Sequence, residues 1–345
     1  MSTTLTLLES FKTTSLPKDV LSPADRQTVF AQIRHFRQKL PREILEKHEK
    51  PLSWLSMRQL IMDWGVAFAS WQLHLHISNV FTFVLALFCM AYSQRGISNL
   101  THDCSHFNLF SSKRWNYFVG DFLMCPSLMA TMRSQREAHV AHHNYLGSEQ
   151  DPDHGLGNKT SLKHYRNKNF THKSIWALFL YDVLDAKLFL QHAAGSLNDH
   201  ALHIVVWWAA FALLLGPLER PIIGIPLPIA WRFCAMWHLS RCTIMYGVYI
   251  FREILDHSGL PSDTILSFTR TSPYGTALQK FLQPHDDNYH LLHHLLPKVP
   301  MGHLHSLHSY LVKHVPEYER ANRYEVYFGG EHGLLTQELH REMVL

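Results

Sequence analysis

Five cysteines occur in 345 residues, Cys89, Cys104, Cys125, Cys234 and Cys242, and no two form a C-x-x-C pair. That scarcity argues against a disulfide framework, a zinc finger or a cysteine-held iron–sulfur cluster. Charge is also thin, at 17% of residues, where about a quarter is usual for a soluble protein. An excess of 32 Lys+Arg over 28 Asp+Glu is too small to argue for a nucleic-acid partner, and no basic patch interleaved with aromatics offers a grip on a phosphate backbone. Residues 1–58 carry ten Lys or Arg but no apolar core of secretory-signal length. They read as a polar cytoplasmic arm, with a helix expected over Ser22 to Lys39 from its N-cap and first-position proline. No internal repeat or low-complexity tract interrupts the chain.

The apolar residues, 46% of the total, collect in two regions. One runs from about Leu60 to Tyr92 with a break near His74 to Asn79; the other runs from about Leu202 to Phe251 with a break near Gly216 to Pro228. Each is long enough for a helical hairpin at roughly 20 residues per span. Asp63, Arg232 and Arg241 interrupt them, and a pair of buried hairpins in a large soluble helical protein is the competing reading. The connections carry almost no Lys or Arg whereas the flanks are rich in both, so the positive-inside rule puts the two tips outside and the rest in the cytoplasm. Trp115 to Ala130 and Ile175 to Leu190 are shorter apolar stretches, expected as helices at the membrane interface.

Histidine is the outlying residue: 27 of 345. Three clusters stand apart from the scattered ones. They are His102 with His106, then His139 with His142 and His143, then His290 with His293 and His294. On an α-helix the spacing i, i+3, i+4 falls within about a 100° arc, so each triplet is expected to aim three imidazoles to one side, as a metal-binding face. If each apolar region crosses twice, all eight meet on the cytoplasmic side. Eight nitrogens exceed what one ion takes, which implies a binuclear centre; imidazole suits zinc, copper, iron and nickel alike. Glu253 and His257, four apart at the inner end of the fourth apolar helix, could complete the coordination. His74, His76, His303, His305 and His308 do not repeat the triplet and read as non-ligands.

In these three boxes, HxxxH, HxxHH and HxxHH in that order around two helical pairs, the sequence resembles the membrane-bound fatty acid desaturase superfamily. The flanking Asp151 to Asp153 and Asn288 to Pro300 resemble the family's surroundings, and the resemblance covers about Leu60 to His308. It implies two iron ions held by His102, His106, His139, His142, His143, His257, His290, His293 and His294, with Glu253 at a position where stearoyl-type enzymes carry asparagine. It implies O2 as co-substrate and hydrogen removal from an unactivated C–H bond, with a second abstraction giving an alkene. Asp103, Asp151, Asp153 and Asp286 are candidates to hold the outer ring N–H of ligand histidines.

The resulting expectation is an all-α integral membrane bundle of about four spanning helices in two hairpins, capped by a cytoplasmic helical region holding the di-iron site. Its parts are an arm over 1–58, a membrane and di-iron domain over 59–310, and a cytoplasmic tail over 311–345. The expected activity is a desaturase acting on an aliphatic, fatty acyl chain. It would depend on a lipid or acyl substrate, on the membrane, and on a separate electron donor of ferredoxin or cytochrome type. A hydroxylase of a lipid, amino acid or carrier-bound metabolite on the same cage is the nearest alternative. A non-catalytic metal transporter is a third, disfavoured because a transporter places its ligands near the bilayer midplane.

Overall fold

A computed structural model describes residues 23–148, 150–152, 175–219, 229–258, 260, 264–321, 323–328 and 333–335. Asp153, Arg220, the arm before Pro23 and the end of the chain after 335 lie outside the described residues. Among the described residues the fold is all-α, with only two isolated bridges, Thr271 to Arg323 and Val326 to Gly333.

The N-terminal helices are α1, Pro23–Gln38, and α2, Arg42–His48. The first hairpin follows as α3, Ser53–His76, and α4, Val80–Ser105. Three residues separate them, and Asn79 closes a capping box with Thr82, satisfying the first orphan N–H groups of α4. Glycine lets the two helices touch: a Cβ on Gly96 would lie 2.4 Å from the Asp63 carboxylate. Asp63 is buried rather than lipid-facing, and accepts from His285 Nε2 at 2.8 Å.

Next come α5, Lys113–Val119, and α6, Met132–Tyr145. The stretch expected as one helix from Trp115 to Ala130 is instead α5, a π-turn over Gly120–Met124 and a 3-10 turn over Cys125–Leu128. Pro126, which cannot donate to the preceding turn, sits where the helix gives way. Three more helices are α7, Ile175–Val183, α8, Ala186–Ala194, and α9, Leu197–Leu215. The return limb is α10, Trp231–Ser240, joined through a π-turn at Arg241–Met245 to α11, Tyr246–His257. Ala230 N–H donates to Ala212 O, which brings this limb back beside α9. Trp237 locks the hairpins together: it stacks on Trp64 at 5.1 Å, donates to Ser127 O, and accepts on its carbonyl from Gln94 Nε2.

The cap consists of α12, Ile265–Phe268, α13, Ala277–Leu282, α14, His290–Leu295, α15, Met301–His314, and α16, Pro316–Glu319. Helix α15 runs through the boundary expected at 310. His285 and Asp286 both adopt left-handed φ, 60° and 65°, to reverse the chain between α13 and α14, a conformation that costs a non-glycine residue about 1–2 kcal/mol.

Two helices are long and apolar enough to cross a membrane, α4 and the run His200–Leu218. The other two expected spans fall short for visible reasons: α3 carries Arg58 and Asp63, and the return limb carries Arg232, Arg241 and Arg252. Outward apolar side chains are nonetheless common on these helices, with Ile61 64%, Phe81 74%, Leu202 79% and Leu214 76% exposed.

Candidate metal centre

Four elements deliver the histidines. His102 lies in the last turn of α4 and His106 just past its end. His139, His142 and His143 come from α6, His257 ends α11, and His290, His293 and His294 make up half of α14. A capping box between Thr131 and Ser134 starts α6, and its first N–H, at Met132, donates to Asp121 Oδ1 at 2.7 Å. The start of α14 is fixed by Leu291 N–H donating to Arg270 O.

All nine candidate histidines come together, as two groups. His102, His106, His139, His143 and His293 form one, and His142, His257, His290 and His294 the other; within each group one ligand atom per residue lies within 4.8 Å of every other. The triplets do not each face one site as their arc suggested. In α6 the i, i+4 pair His139 and His143 serves the first group while His142 serves the second. In α14 the i, i+4 pair His290 and His294 serves the second while His293 serves the first. Each triplet lies between the two groups, so a 100° arc is divided between them.

The Nε2 atoms converge. His143 and His293 approach to 2.9 Å, His290 and His257 to 3.0 Å, and His294 and His290 to 3.0 Å. With metal–nitrogen bonds of about 2.1 Å, ligands at right angles stand about 3 Å apart, so these separations suit a shared cation. Both ring nitrogens of His102, and Nδ1 of His293 and His294, are buried without a hydrogen-bond partner. Leaving buried polar atoms so costs about 1–3 kcal/mol each, and a metal coordinated by His102 would remove that cost at the nitrogen whose lone pair it takes. Five nitrogens in one group also exceed the four of a closed zinc site.

Burial holds His106, His139, His143, His290, His293 and His294 well below the usual histidine range, reinforced by facing imidazoles and, at His290, by Arg252. They are neutral near pH 7, the form that binds metal. Two outer contacts orient the rings. Asp151 Oδ1 lies 2.9 Å from His142 Nδ1, and the Phe268 carbonyl lies 3.0 Å from His257 Nδ1. Asp103 instead accepts from Asn108 Nδ2 and Met301 N–H, and Asp286 faces His285 and His305; neither takes the role expected for it. Asp153 is outside the described residues. His305 bonds Tyr289 Oη and His308 bonds Tyr318 Oη, away from both groups.

Glu253 stands one turn before His257, buried, and its Oε1 accepts from Arg252 Nη1 at 2.8 Å. It belongs to neither nitrogen group, yet lines the same cavity as His257. The sequence reading passed over its surroundings: Arg252 also pairs with Asp256 at 2.9 Å and Asp287 at 3.2 Å, Arg95 pairs with Asp287, and Arg252 Nη2 reaches within 3.3 Å of His290 Nδ1. The i, i+4 spacing of Arg252 and Asp256 is the one local sign of this network; Arg95 and Asp287 are too distant in sequence to signal it.

A cavity of about 350 Å³ opens onto both groups, reaching His102 and His139 of the first and His142, His257 and His290 of the second. An apolar groove of about 700 Å³ between α3 and α9, walled by Trp64, Phe68, Trp207 and Phe211, touches none of the nine.

The family model for fatty acid desaturase matches residues 78–325. Dihydrorhizobitoxine desaturase of Bradyrhizobium elkanii is 27% identical over 232 residues, covering 64% of this chain. The chain spans 65% of that relative's length, a little under two-thirds. The matched stretch holds all nine histidines and Glu253, and the chain belongs to the fatty acid desaturase family.

Proposed function

We propose that this protein is a di-iron, O2-dependent desaturase that introduces a double bond into an aliphatic chain, a fatty acyl group being the class that names the family. The observation that carries this reading is one cavity meeting two histidine groups at once, so that a single C–C bond can sit against both. Irons held there supply the activation of dioxygen and the removal of hydrogen from an unactivated C–H bond. The relative's printed name, a desaturase, agrees with double-bond formation.

The chain's own residues do the rest. His102, His106, His139, His143 and His293 would hold one ion, and His142, His257, His290 and His294 the other. Asp151 and the Phe268 carbonyl fix the tautomers that turn Nε2 inward. Arg252, neutralised by Glu253, Asp256 and Asp287, lies beside His290, and Glu253 places a carboxylate on the cavity that can hold a water. Four spans, with the cage facing the cytoplasm, is the arrangement supported by the loop charges and by the exposed apolar belt. A separate ferredoxin or cytochrome-type protein delivers the electrons.

The test is expression in a host of defined lipid and metabolite content, with products compared by mass spectrometry and metal content measured on the purified protein. About two irons per chain, with a dehydrogenated product that vanishes in His143→Ala, are expected. Stoichiometric zinc without iron would overturn the reading, and an oxygenated product would make the protein a hydroxylase.

A further inference from the structure

An arginine inside a membrane span is costly and marks a functional site by default. Three arginines line the cavity: Arg95, Arg241 and Arg252. Two are neutralised together, Arg95 and Arg252 sharing Glu253, Asp256 and Asp287. Arg241 is 4% exposed and faces no carboxylate among the described residues. Its Nη1 donates to Ala193 O at 3.1 Å and its Nη2 to His192 O, capping the end of α8. Those contacts and a side-chain bond to Cys242 use three of the five N–H donors of a planar fork.

The helix is built to keep Arg241 on this cavity. Arg241, Met245, Tyr249, Glu253 and His257, each four residues apart, all line it. A straight α-helix turns about 100° per residue, so sixteen residues would carry Arg241 about 160° away from His257. The π-turn at Arg241–Met245 absorbs one extra residue and reduces that angle to about 60°. Such turns recur at functional sites. Arg241 and His257 then line the same cavity, roughly 22 Å apart along the helix axis at 1.5 Å per residue with one residue absorbed by the π-turn.

Resting on the desaturase reading, we propose that Arg241 binds a free carboxylate on the substrate, so that the molecule oxidised is an aliphatic acid rather than a neutral ester. One uncompensated guanidinium matches one negative charge, and its fork matches a carboxylate in two hydrogen bonds. A phosphate dianion would need a second cation, and the other two arginines are committed. Gln135, Gln191 and Ser196 also line the cavity, offering hydrogen bonds to polar groups on the acid. A wholly apolar tail would strip water from those groups without replacing it.

The purified full-length protein in detergent, iron-free and iron-loaded, is titrated with octadecanoate, 2-aminooctadecanoate and methyl octadecanoate. The acids are expected to bind at least ten-fold tighter than the ester. Tighter binding by 2-aminooctadecanoate identifies a polar acid, and tighter binding by octadecanoate a plain fatty acid. In Arg241→Gln, which can still donate to the α8 carbonyls, the preference for acid disappears while iron content holds; Arg241→Lys retains part of it. Equal affinity of wild type for octadecanoate and its methyl ester overturns the subsite, as does an unchanged preference in Arg241→Gln. Failure of the desaturase reading looks different: acids still bind, but the protein takes up no iron.

Discussion

His142 shows how much one ring can depend on one carboxylate. Its Nδ1 meets Asp151, which is fully buried and also accepts from Gly147 N–H. Asp151→Asn keeps the shape but loses the charge that sets the tautomer, and iron affinity should fall about 10–100-fold, read by competition with a chelator. His308 gives a pH signature away from the cage. Burial, then Arg323, hold its imidazole down at about 4, against about 6.5 in an unfolded chain. Between those values the unfolded state binds more protons, so stability falls as pH drops from 6.5 towards 4 and levels off below. Denaturant unfolding of His308→Gln should show a shallower loss over that window than wild type. Eight of the histidines were legible because their spacing is local, and His257 joined them through the family resemblance. The sharing of each triplet between two groups was not, because it depends on where α6 and α14 sit. Nor could the Phe268 carbonyl be foreseen, since a backbone acceptor leaves no mark in residue type.

Among the elements, the hairpin α3–α4 was the most readable. Its break, expected near His74 to Asn79, falls at residues 77–79, although α4 runs on past Tyr92 to Ser105. The irregular turns were the least readable. A π-turn follows from how a helix packs, and nothing in Arg241–Met245 announces one; only Pro126 hinted at the break after α5. The close approach at Gly96 yields a test of the hairpin. Gly96→Ala drives a methyl into the Asp63 carboxylate and disturbs its bond to His285, at the strained turn that leads into α14. A loss of about 1–3 kcal/mol is expected, seen as a lower thermal midpoint, with weakened iron retention because α14 carries three of the nine histidines.

At the scale of the whole molecule the reading predicts a topology. Cysteines introduced for Ser78, in the connection between α3 and α4, and for Ser309, on the exposed side of α15, should be labelled from opposite sides of a sealed vesicle. Labelling of both from one side would leave the hairpin unable to cross. The two helices apolar enough to span, α4 and His200–Leu218, come one from each hairpin. The other limb of each hairpin carries charge that is satisfied inside the protein, Asp63 by His285 and Arg232 by Glu219, which lowers its hydropathy.

Because α6 and α14 each give histidines to both groups, an ion bound in either group would order both helices and half-assemble the site for a second. The second therefore enters at a smaller entropic cost, and loading should be cooperative. Native mass spectrometry during iron titration should find empty and doubly loaded chains with few singly loaded ones. A dominant one-iron species would mean that the two ions load independently.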